Sequence, residues 1–321
     1  SMTTENLKGK KVIVTGGTGS IGSEIVRQLL STEVAQVRIY SRDEHKQHEL
    51  QHELPKDARI RFLIGDVRDK ERMDFAFQGV DICFHTAALK HVPFCEYNPF
   101  EAIKTNVLGT QHVIDLAIKH NLEKVIAIST DKAVNPTSVL GTSKLMMEKL
   151  ITAANEITGD RRTLFSSVRF GNVLSSRGSV LPIWMKQIQE NKPITITDKR
   201  ATRFFMELPE AVDLVFSAMD VMQGGEIFVL KMKRKLKIVD FAKQTLKKHA
   251  PGKKVSISFI GLRPGEKLHE ELLTKEEAPF ALEVKEMFII LPQHAPPGEK
   301  KTPRTYAGGR KIQPRAYRSD T

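Results

Sequence analysis

The chain has 321 residues, a formal net charge of +12 and a sequence isoelectric point of about 9.6. That length suits one nucleotide-binding domain plus a smaller lobe; the two cysteines, Cys83 and Cys95, exclude a disulfide framework and fit a reducing cytoplasm; and no apolar run approaches the roughly 18 residues of a membrane span. Much of the basic excess sits in Lys231 to Lys237 and in Pro296 to Thr321, where seven basic residues meet two acidic ones, so neither nucleic acid nor an acidic membrane surface is an expected partner.

The N-terminus shows no signal-peptide apolar region, and Ser1-Met2 reads as an expression remnant. Lys11-Val12-Ile13-Val14-Thr15 reads as a buried parallel strand. It leads into Gly16-Gly17-Thr18-Gly19-Ser20-Ile21-Gly22 and a helical pattern through Ile25, Val26, Leu29 and Leu30. Strand, glycine-rich turn and helix in that order are the context of a dinucleotide fingerprint. Gly16 permits the tight turn, Gly19 lets the backbone approach a pyrophosphate, and Gly22 lets helix and strand pack closely. The pyrophosphate would rest on the helix N-terminus, so Gly16, Thr18, Gly19, Ser20, Ile21 and Gly22 are assigned to the cofactor. The next strand, Val37-Arg38-Ile39-Tyr40, ends in Ser41-Arg42-Asp43-Glu44. Ribose hydroxyls usually meet a carboxylate near this position, whereas a guanidinium suits a 2′-phosphate. NADP held by Ser41 and Arg42 is therefore expected; the competing reading is a surface pair of Arg42 with Asp43 or Glu44.

Ile60 to Ile64 is a third strand, and Asp66 with Val67 after it is placed for the adenine edge, although Asp66 could equally cap the helix starting near Lys70. A fourth strand, Asp81 to His85, runs into Thr86-Ala87-Ala88-Leu89-Lys90. The small Ala87 and Ala88 would let a cofactor lie against the backbone, and Lys90 is assigned to both cofactor and substrate. Asn106, a polar group on a largely packed helix, is assigned to the cofactor. Another strand, Lys124 to Ile128, precedes Ser129-Thr130-Asp131-Lys132 and a helix that carries Lys144. This alternation predicts an α/β fold: a doubly wound parallel (Rossmann) sheet over residues 8–170, with some later segments returning to it, a smaller α/β substrate-binding lobe over 171–290, and a basic mobile arm over 291–321.

In the second half, Asn172 follows the strand-like Ser166 to Phe170 and can reach a sugar diphosphate. Ser179-Val180-Leu181-Pro182 opens an amphipathic helix, with Pro182 near its start, so Val180 and Leu181 are assigned to a nucleotide pocket. Arg203 stands beside Phe204 and Phe205, which are expected in the core, and can face a phosphate or a uracil. Arg263 and Glu266 lie in a Pro-Gly turn between a strand, Val255 to Ile260, and a helix; they can offer a guanidinium to a diphosphate and a carboxylate to a ribose diol, or simply pair with each other. Phe288 to Leu291 reads as an edge strand. No metal motif is visible, and His45, His48 and His52 form a solvated stripe.

Taken together, these motifs resemble the extended short-chain dehydrogenase/reductases, and within them the inverting UDP-N-acetylglucosamine 4,6-dehydratases. The resemblance is carried by the glycine turn, Ser41-Arg42-Asp43-Glu44, Ala87-Ala88-Leu89-Lys90-His91-Val92-Pro93, Ser129-Thr130-Asp131-Lys132-Ala133-Val134-Asn135-Pro136, Val168-Arg169-Phe170-Gly171-Asn172-Val173-Leu174, and Arg263-Pro264-Gly265-Glu266-Lys267-Leu268-His269-Glu270-Glu271-Leu272. It implies a bound NADP recycled in each turnover, a UDP-sugar substrate and a homo-oligomer. It also implies oxidation at C4, loss of water across C5 and C6, hydride return to C6, and inversion at C5.

That chemistry needs a base for the C5 proton and an acid for the C6 hydroxyl. Lys132, its pKa lowered by apolar or cationic surroundings, is the expected base; Asp131, protonated if buried, is the expected acid. Lys144 is expected to hold the nicotinamide ribose, and Ser129 or Thr130 to hold the 4-hydroxyl. The family pattern places a Tyr four residues before that Lys, where this chain has Leu140. Leucine accepts no proton, so C4 oxidation would use a neighbour or a water. A UDP-sugar 4-epimerase and a nucleotide-sugar-binding protein without turnover remain alternative expectations.

Overall fold

A computed structural model describes residues 4–160, 162–174, 181–294, 298 and 303–321. In the first half, β1 (Lys11–Thr15), β2 (Gln36–Ser41), β3 (Ile60–Ile64), β4 (Ile82–His85), β5 (Lys124–Thr130) and β6 (Leu164–Phe170) pair in parallel in the order β3-β2-β1-β4-β5-β6. The helices between them are α1 (Ser20–Leu30), α2 (Glu44–Glu53), α3 (Lys70–Phe77), α4 (Val92–Tyr97), α5 (Pro99–Ala102), α6 (Gly109–Lys119) and α7 (Val139–Ala154), with a π-helical stretch, Ile103–Leu108, joining α5 to α6. Strand residues such as Val12, Val14, Val125 and Val168 are fully buried, as parallel strands covered on both faces must be. The strand order reverses beside β1, where β4 lies on one flank and β2 on the other. That is the crevice in which open α/β sheets bind ligands.

The second half contributes β7 (Asn172–Leu174), α8 (Leu181–Gln189), β8 (Ile194–Ile196), β9 (Thr202–Glu207), α9 (Leu208–Val221), β10 (Ile227–Leu230), β11 (Arg234–Lys237), α10 (Ile238–His249), β12 (Ile257–Phe259), β13 (Glu271–Leu273), β14 (Ala281–Glu283), β15 (Met287–Ile290), β16 (Arg310–Lys311) and β17 (Tyr317–Arg318). β7, β9 and β11 form one small sheet, and β8 pairs with β12. With α8 and α10 they enclose a second core of Trp184, Ile188, Phe205 and Phe241. β10 extends the main sheet in parallel beside β6, while β15, β14 and β16 add antiparallel strands.

Three sequence expectations are corrected here. The strand at Phe288 is not an edge: β15 is flanked by β10 and β14. No helix follows the Pro-Gly turn; the chain runs from β12 through a loop into β13, because Gly265 at a φ of +83° turns it back over the pocket. The arm over residues 303–321 is docked, not loose: β17 pairs with β13, and Tyr317 stacks on Phe204 at 5.2 Å.

Candidate active site

Gly16 has a φ of +67°, and a Cβ there would stand 2.7 Å from the Ala87 backbone nitrogen. Conformation and the closeness of the β4 loop both demand glycine. A Cβ on Gly22 would fall 2.2 Å from the Gly16 carbonyl oxygen, so helix and turn meet backbone to backbone. Gly19 is different. Its Cβ would meet only that oxygen, at 3.3 Å, and Gly19 caps α1 without a side-chain hydrogen bond. The open backbone and uncapped amides form a cradle that a side chain would fill, which is the fit a pyrophosphate needs. Thr18, Ser20 and Ile21 border it at the start of α1.

Ser41 and Arg42, the residues expected at a 2′-phosphate, lie at and just beyond the end of β2. Ser41 is buried, its Oγ accepting from Gln47 Nε2 at 3.0 Å. Asp43 caps α2 by accepting from the Lys46 amide at 3.1 Å. Arg42 is exposed and meets no carboxylate among the described residues, so the surface-pair reading is not what the structure contains. Asp66 does not cap α3. Asp69 does, while Asp66 pairs with Arg68 at 3.3 Å. The Val67 side chain is in the core and its carbonyl contacts His112 Nδ1 at 2.8 Å.

In the β4 loop, Ala87 and Ala88 are half-buried and Lys90 is exposed. Asn106 does not reach outward: its amide bonds the Leu89 N–H at 2.9 Å, the Leu89 carbonyl at 3.2 Å and Ser143 Oγ at 3.0 Å. It clamps the loop to α7, a positioning role in place of the expected cofactor contact. Behind this loop His85 bridges Thr15 (2.7 Å) and Thr110 (3.0 Å). Burial, with Lys144 nearby, holds its imidazole down at about 3, so it is neutral.

At the end of β5 the expected quartet divides. Ser129 turns away, donating to Glu148 at 2.6 Å within a buried network where Glu148 pairs with Arg169 at 2.7 Å. Burial penalises the Arg169 charge, but Glu148 and Glu277 more than offset it and hold the guanidinium protonated. Thr130 donates to Asp131 Oδ1 at 3.0 Å, and Lys132 Nζ lies 3.6 Å from the same oxygen. The Asp131 residue is 3% exposed. Burial alone would raise its pKa, but Lys132 and hydrogen bonding from Glu270 and Thr130 hold it low. Lys132 departs from expectation: the Asp131 carboxylate raises its pKa. Lys144, 7% exposed, donates to the Ile128 carbonyl at 2.9 Å. Burial holds that amine down at about 8.

Asp131 and Lys132 open onto a cavity of about 250 Å³ between the main sheet and the smaller lobe. Asn172, Arg203, Arg263 and Glu266 also line it, so the structure gathers these sequence-selected residues at one place. Arg203 donates to the Thr202 and Leu268 carbonyls, and Arg263 pairs with Glu266 at 3.2 Å. Val180 lies outside the described residues; Leu181 opens α8, and its side chain is likewise not described.

Two wall residues escaped the sequence reading although they stand in the quoted Arg263-to-Leu272 motif. Lys267, half-buried, donates to the Val134 carbonyl, and burial lowers its pKa. Glu270, 7% exposed, accepts at Oε1 from the Phe204 amide and from Asn172 Nδ2, each at 3.0 Å, and its carboxyl stands within hydrogen-bonding reach of Asp131. Burial, then the Asp131 charge, pushes its pKa well up. A glutamate beside a second glutamate, three residues past a lysine, carries no spacing signal that separates it from a surface residue.

A family described as polysaccharide biosynthesis protein matches residues 12–292. The chain belongs to that family. An inverting UDP-N-acetylglucosamine 4,6-dehydratase of Campylobacter jejuni is 44% identical over 286 residues, covering 88% of this chain and 83% of the relative. A UDP-glucose 4-epimerase of Rickettsia felis is 42% identical over 273 residues, 84% of this chain and 79% of the relative. The X-ray structure of Pen from Bacillus thuringiensis matches with a TM-score of 0.91 at 43% identity, covering 98% of this chain and 94% of that one. The fold is the short-chain dehydrogenase type, and the relatives include nucleotide-sugar dehydratases and epimerases.

In this member of the polysaccharide biosynthesis family, Leu140 is 3% exposed and packs with Cys95, Ala102, Leu89, Val92 and Val139. Its side chain is part of a small core beneath α4 and contributes no proton-transfer group.

Proposed function

We propose that this protein is an NADP-dependent UDP-N-acetylglucosamine 4,6-dehydratase that inverts C5. The observation that carries the reading is the Asp131–Lys132 pair at the end of β5, on the wall of a cavity that also presents Arg203 and Arg263. Gly16, Gly19 and Gly22 with the start of α1 would hold the cofactor pyrophosphate, Ser41 and Arg42 its 2′-phosphate, and Lys144 its nicotinamide ribose. The nicotinamide supplies the hydride exchange at C4 and C6. Arg203 and Arg263 would hold the diphosphate, with Asn172 and Glu266 beside them.

The chain's own part is the elimination. Lys132 faces Asp131 as an ammonium in the ligand-free site, and one proton moved across the 3.6 Å gap makes Lys132 an amine and Asp131 an acid together. The amine takes the C5 proton, made acidic by the adjacent ketone, and that C–H electron pair becomes the C5–C6 double bond. The C6–O bond breaks, and the oxygen takes the Asp131 proton and leaves as water. The step ends with the ion pair from which it began, so base and acid are restored together. With Leu140 in the core, the 4-hydroxyl proton goes to water, and the Thr130 hydroxyl can relay it.

A proton NMR time course with UDP-N-acetylglucosamine in deuterated water tests this. A growing C6 methyl signal with deuterium at C5 is expected, and its absence in the presence of bound substrate and cofactor would sink the reading. The second reading, a UDP-sugar 4-epimerase, rests on the 42% identical relative; its product would keep the C6 hydroxymethyl group. Assembly as a homo-oligomer is also proposed, through the face that exposes Phe94, Tyr97, Phe100 and Ile103.

A further inference from the structure

Asp131 Oδ2 is buried and takes no hydrogen bond from an N–H or O–H donor among the described residues. Gly171 comes so close that a Cβ there would stand 3.5 Å from it, and Oδ1 already serves Thr130 and Lys132. A buried carboxylate oxygen without a donor is costly. The group within reach is a second carboxyl, Glu270, fixed from behind by the Phe204 amide and the Asn172 amide on one oxygen, and by its own N–H donating to Ser319 Oγ at 2.8 Å. Two ionised carboxylates cannot share such a place; one proton between them gives Oδ2 its missing donor.

We propose that Glu270 works as a carboxylic acid that donates to Asp131 Oδ2 and sets the proton affinity of the Asp131–Lys132 pair. This deepens, and rests on, the dehydratase reading. With Glu270 neutral, the three groups carry no net charge both as Lys132 ammonium with Asp131 carboxylate and as amine with acid, so the proton crosses without separating charge. With Glu270 ionised, two carboxylates face one ammonium and Lys132 keeps its proton. Glu270 is thus a positioning residue acting through Asp131. The other charges facing it are Arg203 from β9 and Lys267 from its own loop; neither supplies a proton acceptor. Burial and the Asp131 charge raise the Glu270 pKa, in agreement with this geometry.

The test combines a spectrum with a pH profile. In the intact chain at pH 7, infrared difference spectra with ¹³C-labelled glutamate should contain a carboxylic-acid carbonyl band that Glu270→Gln removes. Asp131→Asn should shift that band, because the Glu270 proton then loses its carboxylate acceptor while burial still keeps the group protonated. For turnover, kcat should fall on the alkaline side as Glu270 ionises, and Glu270→Gln, which keeps a neutral donor of the same shape, should lose that fall while retaining kcat within about tenfold. Glu270→Ala should lose about 100-fold, the scale of one general acid–base contribution. Absence of the band, or an alkaline fall unchanged in Glu270→Gln, would overturn the proposal. The band is read without substrate, so a chain that shows it but forms no methyl product sinks the dehydratase reading and leaves the carboxyl pair standing.

Discussion

Arg42 and Asp131 are the two residues at which the reading of this site is most exposed to test. Arg42 follows β2 with no carboxylate to pair with among the described residues, beside a buried Ser41 whose Oγ accepts from Gln47. A charge-assisted hydrogen bond to a phosphate contributes about 1.5–3 kcal/mol. Arg42→Ala should therefore weaken NADP binding by about 10- to 100-fold and leave NAD affinity nearly unchanged, as measured by isothermal titration of both cofactors. Equal affinities in the parent chain would remove the 2′-phosphate assignment. Asp131 and Lys132 were legible in the sequence because they follow a strand directly, where ligands meet an open α/β sheet. The direction of the Lys132 shift was not legible. It depends on Asp131 being turned inward, to a 3% exposed site that no spacing reports.

Between elements, the buried Arg169 network holds β5 against β6 and α7. Arg169 on β6 reaches Glu148 on α7 at 2.7 Å, Glu277 at 3.0 Å and the Leu272 carbonyl of β13 at 2.8 Å, and Ser129 of β5 closes on Glu148. Truncating one partner of such a network strands the others without water. Arg169→Met should lower stability by about 3–5 kcal/mol in a denaturant titration, and adding Glu148→Gln should recover part of the loss. If the single change costs under about 1 kcal/mol, the charges are solvated and the network does not position β5. Sequence patterning gave the strands of the first half because each is a short run rich in apolar residues, and all but the edge strand β3 are largely buried. It did not give this network: Ser129, Glu148 and Arg169 lie far apart in the chain, and a serine before Thr130 reads equally well as a substrate ligand. Asn106 misled for the same reason. A lone amide on a packed helix does not disclose whether it faces a ligand or the Leu89 backbone.

For the whole molecule, the C-terminal segment ties the two lobes to the candidate site. Its Pro, Gly and charge content signals a loose arm, yet its two tyrosines are the aromatic anchors that composition hides. Tyr306 donates to Glu226 at 2.8 Å; Tyr317 stacks on Phe204 at 5.2 Å, meets Phe288 edge-on at 5.3 Å and accepts from the Met232 amide at 3.0 Å. Burying an aromatic side chain of this size contributes about 1.5–3 kcal/mol, so removing residues 303–321 should lower stability by at least about 3 kcal/mol. The same segment reaches Glu270 directly, since Ser319 Oγ accepts the Glu270 N–H at 2.8 Å and the Thr202 hydroxyl lies 2.7 Å from it. Ser319→Ala separates the two effects. It leaves both tyrosines and should cost only about 1 kcal/mol of stability, but it frees the backbone of the residue that faces Asp131, so the alkaline fall of kcat should move with it. A truncated chain with unchanged melting temperature would mean that the segment rests on the surface without holding it. A Ser319→Ala profile identical to that of the parent would confine the segment to stability and leave Glu270 fixed by Phe204 and Asn172 alone.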